Sequence, residues 1–160
     1  MATIRAFKSR LLTLKKKTEE VAATSIQKTR SNLVSLNREQ MLEGKRRDGK
    51  DISPSYFEDP WFKSVESAKA YSDWKDSITP NSKRKKGVPN LFIIGTFHNS
   101  ITIDVTGESI KFNSDFYAAA DIERKFTGMI YSLNVEKRTV YVREFLRPEF
   151  MTNVRFELML

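Results

Sequence analysis

Apolar and small residues recur with helical spacing along the first quarter of the chain. They return about every 3.6 positions, which is the period of an α-helix with one buried face. Residues 3–43 contain neither glycine nor proline, Thr3 can cap the start of a helix, and Gly44 suits the position after its end. The pattern predicts a long basic helix over 3–43. Its buried stripe would be Ile4, Phe7, Leu11, Leu14, Thr18, Ala22, Ile26, Thr29, Leu33, Leu36 and Gln40.

The predicted helix is too long for the domain that would carry it. Unbroken, it would measure about 60 Å at 1.5 Å per residue, more than a compact domain of this size can cover. The stripe is also weak in its middle, at Thr18, Ala22 and Thr29. Two outcomes are therefore open. Either the helix breaks, near 24–25 or 31–32, or part of its stripe projects and packs on another subunit.

The following segment is rich in turn-forming residues. Residues 44–60, GKRRDGKDISPSYFEDP, hold two glycines and two prolines and predict a loop. Asp59-Pro60 is expected to open a second helix over Trp61–Ser77, with Glu58 and Asp59 favouring its positive N-terminus. Residues 79–90, TPNSKRKKGVPN, then predict a mobile lysine-rich loop.

The second half of the chain contains the strand signals. Residues 91–100, LFIIGTFHNS, fit either a helix or a strand. Ile101–Val105 and Ser109–Phe112 alternate apolar and polar residues on either side of a turn at 106–108, which predicts a β-hairpin.

Four further elements are predicted after the hairpin. They are a short helix over Tyr117–Lys125 with Asp115 as its cap, two strands at Met129–Leu133 and Thr139–Arg143, and a closing helix from Pro148 to about Leu158. Helices come first and strands cluster later, an order typical of the α+β class. We therefore expect a single α+β domain over 1–160, with an antiparallel sheet in its C-terminal half.

The composition narrows the class of protein without changing this architecture. With 160 residues, 39% hydrophobic and 30% charged, the chain can form one domain with an ordinary core. No apolar run approaches the ~20 residues of a membrane span. The basic N-terminus lacks the apolar stretch of a secretory signal, so we expect neither membrane contact nor secretion.

The net charge of +8 belongs entirely to the N-terminal third. Residues 1–50 hold 13 Lys or Arg and 5 Asp or Glu, whereas residues 51–160 hold 15 of each. This asymmetry indicates an acidic partner, either nucleic acid or an acidic protein surface, although a solvated lysine face on a helix gives the same pattern. The candidate basic contact residues are Lys15, Lys16, Lys17, Lys83, Arg84, Lys85 and Lys86.

Cysteine and histidine usage leaves few routes to catalysis. The chain has no cysteine, which removes disulfides, thiol catalysis and zinc–thiolate sites. The single histidine, His98, could act as a base with Ser100 or Asp104, but no serine lies in the sharp turn that a nucleophile needs. We interpret His98 as a structural or surface residue.

The remaining motifs for chemistry are incomplete. Gly44–Lys50 has the two glycines and the lysine of a phosphate loop, but Asp51 stands where Ser or Thr would bind magnesium. The same segment lacks the alternating ligands of a calcium loop. A metal-dependent nuclease using Asp121 or Glu123 is a third, weaker hypothesis, since nothing in the spacing of the acids singles them out. We expect no enzyme activity, cofactor or metal.

Two stretches carry a resemblance to a known family. Gly95–Val105, GTFHNSITIDV, resembles the "Thr-Gly-x-hydrophobic-x-x-Ser-Ile-x-hydrophobic" stretch of tailed-bacteriophage tail-completion and head–tail joining (neck) proteins. In that family a basic N-terminal helix is followed by a Lys/Pro loop and a strand pair. The family commonly ends with a Phe-Leu-Arg-Pro turn and a closing helix. Phe145–Pro148 matches that end.

The middle of the chain resembles the prophage-type variant of the same family. The matching residues, in order, are Asn37–Met41, Gly44, Asp48-Gly49, Tyr56, Ala120–Phe126 and Gly128–Leu133. The resemblance covers about two-thirds of the chain, and the order of these short motifs carries it.

The resemblance implies a virion structural protein of the head–tail region, made in the host cytoplasm. Its expected partners are copies of itself in a ring, portal, neck or tail proteins, and packaged DNA. The expected interface residues are Ile4, Phe7, Leu11, Leu14, Phe145 and Arg147. The alternative that the charge leaves open is a basic, non-specific nucleic-acid-binding protein.

Overall fold

The computed structural model describes residues 4–79, 82–106 and 109–158, with no account of the side chains at 4–7, 10, 11, 157 and 158. The fold is α+β, with a two-stranded antiparallel sheet in the C-terminal half and a closing C-terminal helix, as the sequence predicts. The elements in chain order are α1 (Ile4–Lys28), α2 (Arg30–Leu42), α3 (Val65–Ile78), α4 (Thr96–Asn99), β1 (Ile101–Thr106), β2 (Ser109–Ser114), α5 (Ala119–Lys125), α6 (Val135–Tyr141), a π-helical turn (Val142–Leu146) and α7 (Arg147–Leu158).

The long N-terminal helix breaks at Thr29, between the two predicted positions. The Thr29 hydroxyl lies 2.8 Å from the Ser25 carbonyl oxygen and 2.7 Å from the Tyr141 hydroxyl. Thr13 and Thr18 also bond to the carbonyl four residues back without breaking the helix. The contact with the Tyr141 hydroxyl is what distinguishes Thr29. α2 then ends as predicted at Gly44, whose φ is +69° and whose N–H donates to the Met41 carbonyl. The predicted cap, Thr3, lies outside the described residues.

The predicted hairpin is confirmed. β1 and β2 pair in antiparallel register from Ile101 opposite Ser114 to Thr106 opposite Ser109. Ile101 and Ile103 are buried while the residues between and after them are exposed, which is the alternation that predicted the strand. Residues 107 and 108 of the predicted turn lie outside the described residues.

The prediction of a second strand pair is wrong. Residues 129–134 form a loop, because two buried amides of α2 bind its backbone and replace a sheet ladder. Asn37 donates to the Ile130 and Ser132 carbonyls at 3.0 Å each, and Gln40 donates to Ser132 and accepts from the Asn134 N–H at 2.7 Å. Asn134 then caps α6 through the Lys137 N–H, so residues 135–141 are helical.

The closing helix begins earlier than predicted. The helical path runs from α6 through the π-helical turn into α7, and the Arg147 N–H donates to the Val142 carbonyl five residues back. Pro148 lacks an N–H and cannot sit in an undisturbed helix interior. The π-helical turn just before it accommodates the proline without ending the helix.

Two other helices start later than the sequence indicates. Ser64, not Asp59, caps α3, through a reciprocal hydrogen bond with Ser67. α5 begins at Ala119 with no side-chain cap, and the predicted cap Asp115 instead donates its N–H to the Ser100 carbonyl beside the hairpin.

The core consists of two neighbouring clusters that α2 and β1 share. The first is Met41, Ile52, Val88, Phe97, Ile101, Phe126 and Ile130. The second is Leu33, Leu36, Ile103, Leu133 and Tyr141. β1 therefore faces one cluster with Ile101 and the other with Ile103.

Candidate contact surfaces and an aromatic cleft

The N-terminal half of α1 stands clear of the core. Every side chain that the structure describes between positions 8 and 20 is exposed. Leu12 is 60% exposed and Leu14 is 50% exposed, whereas Val21, Ser25 and Thr29, further along the helical region, are buried. About 25 Å of helix, residues 4–20, thus carries leucines that the described part of the chain does not cover. Leu14 is where the sequence places a contact residue; the side chains of Ile4, Phe7 and Leu11 lie outside the described residues.

The C-terminal half of α1 is fastened to α7. Asn153 donates to the Ser25 hydroxyl and accepts from the Lys28 ammonium, both at 2.8 Å, and Lys28 also pairs with Glu149 at 3.0 Å. Residue 149 lies beside 28 and residue 153 beside 25, so the two helices run antiparallel. This anchor holds the exposed half of α1 at a defined direction from the body.

The two other predicted interface residues lie near the start of α7. Phe145 is half-buried and packs against the second core cluster of its own chain, so only part of its ring is accessible to a partner. Arg147 is exposed.

The basic residues of α1 are accessible. Lys15, Lys16 and Lys17 are all exposed. Lys15 lies 3.6 Å from Glu19 and Lys16 lies 3.9 Å from Glu20, both one helical turn away. Exposed ion pairs of this kind are weak, so the lysines can leave these glutamates and bind an acidic group of another molecule.

The lysine-rich loop is attached to the body rather than free. The Arg84 guanidinium is fully buried; it donates to the Val88 and Ser72 carbonyls at 2.6 and 2.9 Å and pairs with Asp76 at 2.7 Å. Arg84 is therefore a structural residue, which corrects its assignment as a basic contact.

The neighbouring lysines of the loop also have partners within the chain. Lys85 pairs with Asp51 at 2.9 Å and Lys86 with Asp73 at 2.6 Å. Lys83 is exposed. With Arg84 and residues 87–90 buried, the described part of the predicted mobile loop, 82–90, is packed against the domain.

The structure does not bring His98, Ser100 and Asp104 together. His98 is buried on α4, and its Nε2 donates to the Asn90 carbonyl at 2.9 Å. Burial lowers the pKa of His98 to about 4 despite that hydrogen bond, so the ring is neutral at pH 7. The Ser100 hydroxyl donates a hydrogen bond to the Phe97 carbonyl and lies 2.7 Å from the Ser114 hydroxyl.

Three of the acidic residues considered as metal or phosphate ligands, Asp48, Asp51 and Asp121, are paired with cations nearby in the sequence or structure. Asp48 binds Arg46 and the Lys50 N–H, and Asp51 binds Lys45 and Lys85. Asp121 pairs with Arg124. Across residues 4–79, 82–106 and 109–158, no three acidic or histidine side chains converge as a metal site would require.

One concave feature is an apolar cleft of about 610 Å³, here called the aromatic cleft. Three separate segments build it: 56–75, 89–97 and 116–126. Its walls are mostly apolar and aromatic. They include Tyr56, Trp61, Phe62, Tyr71, Leu91, Ile93, Ile94, Phe97, Phe116, Tyr117, Ile122 and Phe126.

Edge-to-face contacts order one wall of the cleft. The Tyr56 and Tyr71 rings lie 5.0 Å apart at 88°, and the Trp61 and Phe62 rings lie 4.8 Å apart at 89°. Aromatic pairs prefer such arrangements, which add to the stabilisation from burial. Arg84 lies over the Tyr56 ring at 5.6 Å, so the buried guanidinium also holds this wall in place.

Among the described residues of the cleft, Lys75 of α3 alone carries unpaired charge. It is 2% exposed, and its ammonium has no hydrogen-bond or carboxylate partner among the described residues. Burial lowers its pKa to about 8, and the positive charge of Arg84 acts in the same direction.

The other charges at the cleft are already neutralised. Asp59 and Lys125 pair with each other on its wall. Burial raises the pKa of Asp59, but Lys125 and the Trp61 N–H outweigh burial and hold it below its usual range.

The sequence does not predict the aromatic cleft. The aromatic character of 56–74 was visible, but the residues that oppose it come from segments up to 70 positions away, and periodicity within one segment carries no information on such pairing. Lys75 itself follows Trp74 on a helix with only an approximate apolar face, so nothing local marks it as buried.

These surfaces define a class: an α+β protein with a protruding basic helix and a preformed apolar cleft. Comparisons of the chain with protein-family models, curated proteins and solved structures find no match. No helix within the described ranges has both the length and the apolar character to cross a membrane.

Proposed function

We propose that this protein is an assembly subunit: a structural component of a tailed-phage virion, placed in a neck or tail-completion ring that joins head and tail. The exposure of Leu12 and Leu14 on the protruding half of α1 carries the assembly part of the proposal. The placement in the head–tail region rests on the resemblance of residues 37–56, 95–105 and 145–148.

The energetics of an isolated helix support assembly. Most helical stability in proteins comes from packing an apolar face rather than from intrinsic propensity. The 17 residues from Ile4 to Glu20 form helix without covering Leu12 or Leu14 within the described chain. A neighbouring copy that covers the stripe at Leu14 would stabilise the segment, whereas Leu12, two positions away, lies on a different face of the helix.

The contact that fits a ring is heterologous. The protruding half of α1 would pack on a different surface of the next copy, and repetition of that contact closes a ring when the rotation allows it. The lysines at 15–17 lie on the same segment, so acidic surfaces of portal or tail proteins are its second expected contact.

The test compares the assembly of matched variants. The double variant Leu12→Glu/Leu14→Glu places two charges on the protruding segment, and Val65→Glu/Val135→Glu places two charges at exposed apolar positions elsewhere. Size-exclusion chromatography with light scattering and negative-stain electron microscopy give the size of each species. We expect the wild type and the Val65/Val135 variant to form rings and the Leu12/Leu14 variant to remain monomeric.

Two results would contradict the proposal. One is a wild-type protein that stays monomeric at high concentration, alone and with portal or tail proteins. The other is a Leu12/Leu14 variant that assembles as the wild type does. Circular dichroism of each variant checks that the rest of the domain is folded.

A second candidate function is non-specific nucleic-acid binding, which the exposed lysines at 15–17 favour. When a protein binds through phosphate contacts, the logarithm of its association constant falls linearly with the logarithm of the salt concentration. The slope is set by the number of phosphate contacts. Fluorescence anisotropy with a duplex DNA, at several salt concentrations, measures that slope. Lys15→Gln/Lys16→Gln/Lys17→Gln should reduce the slope by about 3, and Lys63→Gln/Lys69→Gln/Lys111→Gln, at exposed lysines outside the candidate contacts, should leave it unchanged. No binding at low salt ends this candidate.

A further inference from the structure

The aromatic cleft combines two features that the assembly proposal does not use. It is a preformed apolar cavity of about 610 Å³, within the ~300–1,000 Å³ typical of small-molecule sites. It also contains Lys75, a buried side chain whose ammonium lacks an acceptor within the described chain. A charge with so little exposure is poorly hydrated, so an anion in the cleft would stabilise it.

The carboxylates nearest the cleft are not available to complete it. Asp59 lines the cleft but binds Lys125 and the Trp61 N–H. Asp76, one residue after Lys75 on α3, binds the Arg84 guanidinium at 2.7 Å. Each acid is therefore matched to another cation, and Lys75 remains the one uncompensated charge of the described cleft residues.

The other polar groups around Lys75 do not supply negative charge at neutral pH. His98 on α4 is neutral, Arg84 is positive, and burial raises the pKa values of the Tyr56 and Tyr71 hydroxyls, so both stay protonated. The potential in the cleft is positive whenever Lys75 carries its proton. A guest with one negative charge and an apolar body complements both the charge and the walls.

We propose that the aromatic cleft binds a small monocarboxylic acid with an apolar body, whose carboxylate accepts hydrogen bonds from the Lys75 ammonium. The apolar body lies against the ring faces and edges of Tyr71, Phe97 and Phe126. Charge-assisted hydrogen bonds are stronger than neutral ones, and the apolar walls of the cleft strengthen them further. Phosphorylated or dicarboxylic ligands fit less well, because their extra charge would be buried without a second free cation among the described lining residues.

The binding test uses two acids that differ in body and two neutral analogues. The probes are 2-naphthoate and octanoate, each compared with its alcohol, 2-naphthylmethanol or octanol. Isothermal titration calorimetry of the full chain at pH 7 gives the affinities, and the fluorescence of Trp61 reports binding inside the cleft. We expect at least one acid to bind about tenfold more tightly than its alcohol. A preference for naphthoate would identify an aromatic ligand, and a preference for octanoate an aliphatic one.

Matched lysine variants assign the preference to one residue. Lys75→Met removes the buried charge and keeps an apolar side chain of similar length, whereas Lys69→Met removes an exposed charge from the same helix. Lys75→Met should bind acid and alcohol about equally, with alcohol affinity retained as evidence of a folded cleft. Lys69→Met should keep the wild-type preference.

The pH dependence gives an independent readout. The acid-over-alcohol preference should shrink between pH 7 and pH 10 in the wild type, because Lys75 loses its proton in that range.

Three results overturn the proposal: neither acid binds below ~1 mM, acid and alcohol bind equally well to the wild type, or Lys69→Met loses the preference as fully as Lys75→Met. None of them bears on the ring, so the two proposals can fail separately.

Discussion

At the residue scale, buried polar side chains determine much of this structure. Asn37 and Gln40 hold the 130–134 backbone, and Arg84 ties the lysine-rich loop to α3. Each satisfies backbone groups that have no helix or sheet partner, so each would be costly to remove. Lys75 is different, because burial of its ammonium is not offset by a partner within the described chain.

Lys75 should destabilise the folded state at neutral pH. Its pKa is about 8 in the folded chain against 10.5 as an ordinary lysine. Below pH 8 both states are protonated and the folded state bears the full cost of the buried charge. Between pH 8 and 10.5 the unfolded state binds more protons, so the wild type gains stability as pH rises.

We therefore expect Lys75→Met to unfold at higher urea than the wild type at pH 7, by on the order of 2–3 kcal/mol. The difference should fall by about half by pH 9.5. Lys69→Met, which removes an exposed charge, should differ little from the wild type at either pH. Urea unfolding of the three proteins at pH 7 and pH 9.5 measures this, and a difference that does not change with pH would contradict the assignment.

At the scale of elements, the ends of helices and the loops between them depend on specific local contacts. Gly44 ends α2 with a positive φ and packs beneath the loop that Arg84 anchors. A Cβ at Gly44 would lie 2.7 Å from Val88 Cγ1 and 3.2 Å from Arg84 Cβ. Gly49, in the loop over residues 44–60, also has a positive φ, +80°, but a Cβ there would meet nothing within 4 Å. Substitution at Gly49 therefore measures the backbone strain alone, whereas substitution at Gly44 measures the strain together with the steric contact.

Gly49→Ala should cost about 1 kcal/mol from the left-handed backbone alone. Gly44→Ala should cost about 2–4 kcal/mol, because the same strain is joined by overpacking against Val88. Chemical denaturation of both variants gives the comparison. Equal losses for the two would show that Val88 and Arg84 move aside at little cost.

At the scale of the whole molecule, stability is unevenly distributed. α2, β1 and α6 meet in the two core clusters, while residues 8–20 of α1 expose every described side chain. Segments with few buried apolar contacts open at low free energy. The N-terminal half of α1 should therefore be the helical segment whose amides are least protected from hydrogen exchange before it binds a partner.

Hydrogen exchange should reveal this gradient. In dilute protein, amides of residues 8–20 should exchange much faster than those of residues 33–41, which lie in the core. On assembly, the amides of 8–20 should become protected while those of 33–41 change little. Mass spectrometry of labelled peptides at low and high protein concentration measures both. Slow exchange at 8–20 in a confirmed monomer would show that the segment is stable without a partner.

The sequence by itself determined the elements whose signals are local. The 3.6-residue period predicted the N-terminal helical region, the alternation of Ile101 and Ile103 predicted the hairpin, and Gly44 marked the end of α2. It also located the charge excess in residues 1–50. These features depend on neighbours within a few positions, where backbone geometry and side-chain spacing are enough.

Only the tertiary structure decided the features that depend on distant partners. Residues 129–133 have the composition of a strand, but Asn37 and Gln40 take up their backbone hydrogen bonds, and the segment becomes a loop. Arg84 belongs to an apparently solvated basic run, yet Asp76 and two carbonyls draw it into the interior. The segments that form the cleft around Lys75 lie up to 51 positions away from it in sequence. In each case the free energy comes from a contact between segments remote in sequence, and no local pattern records it.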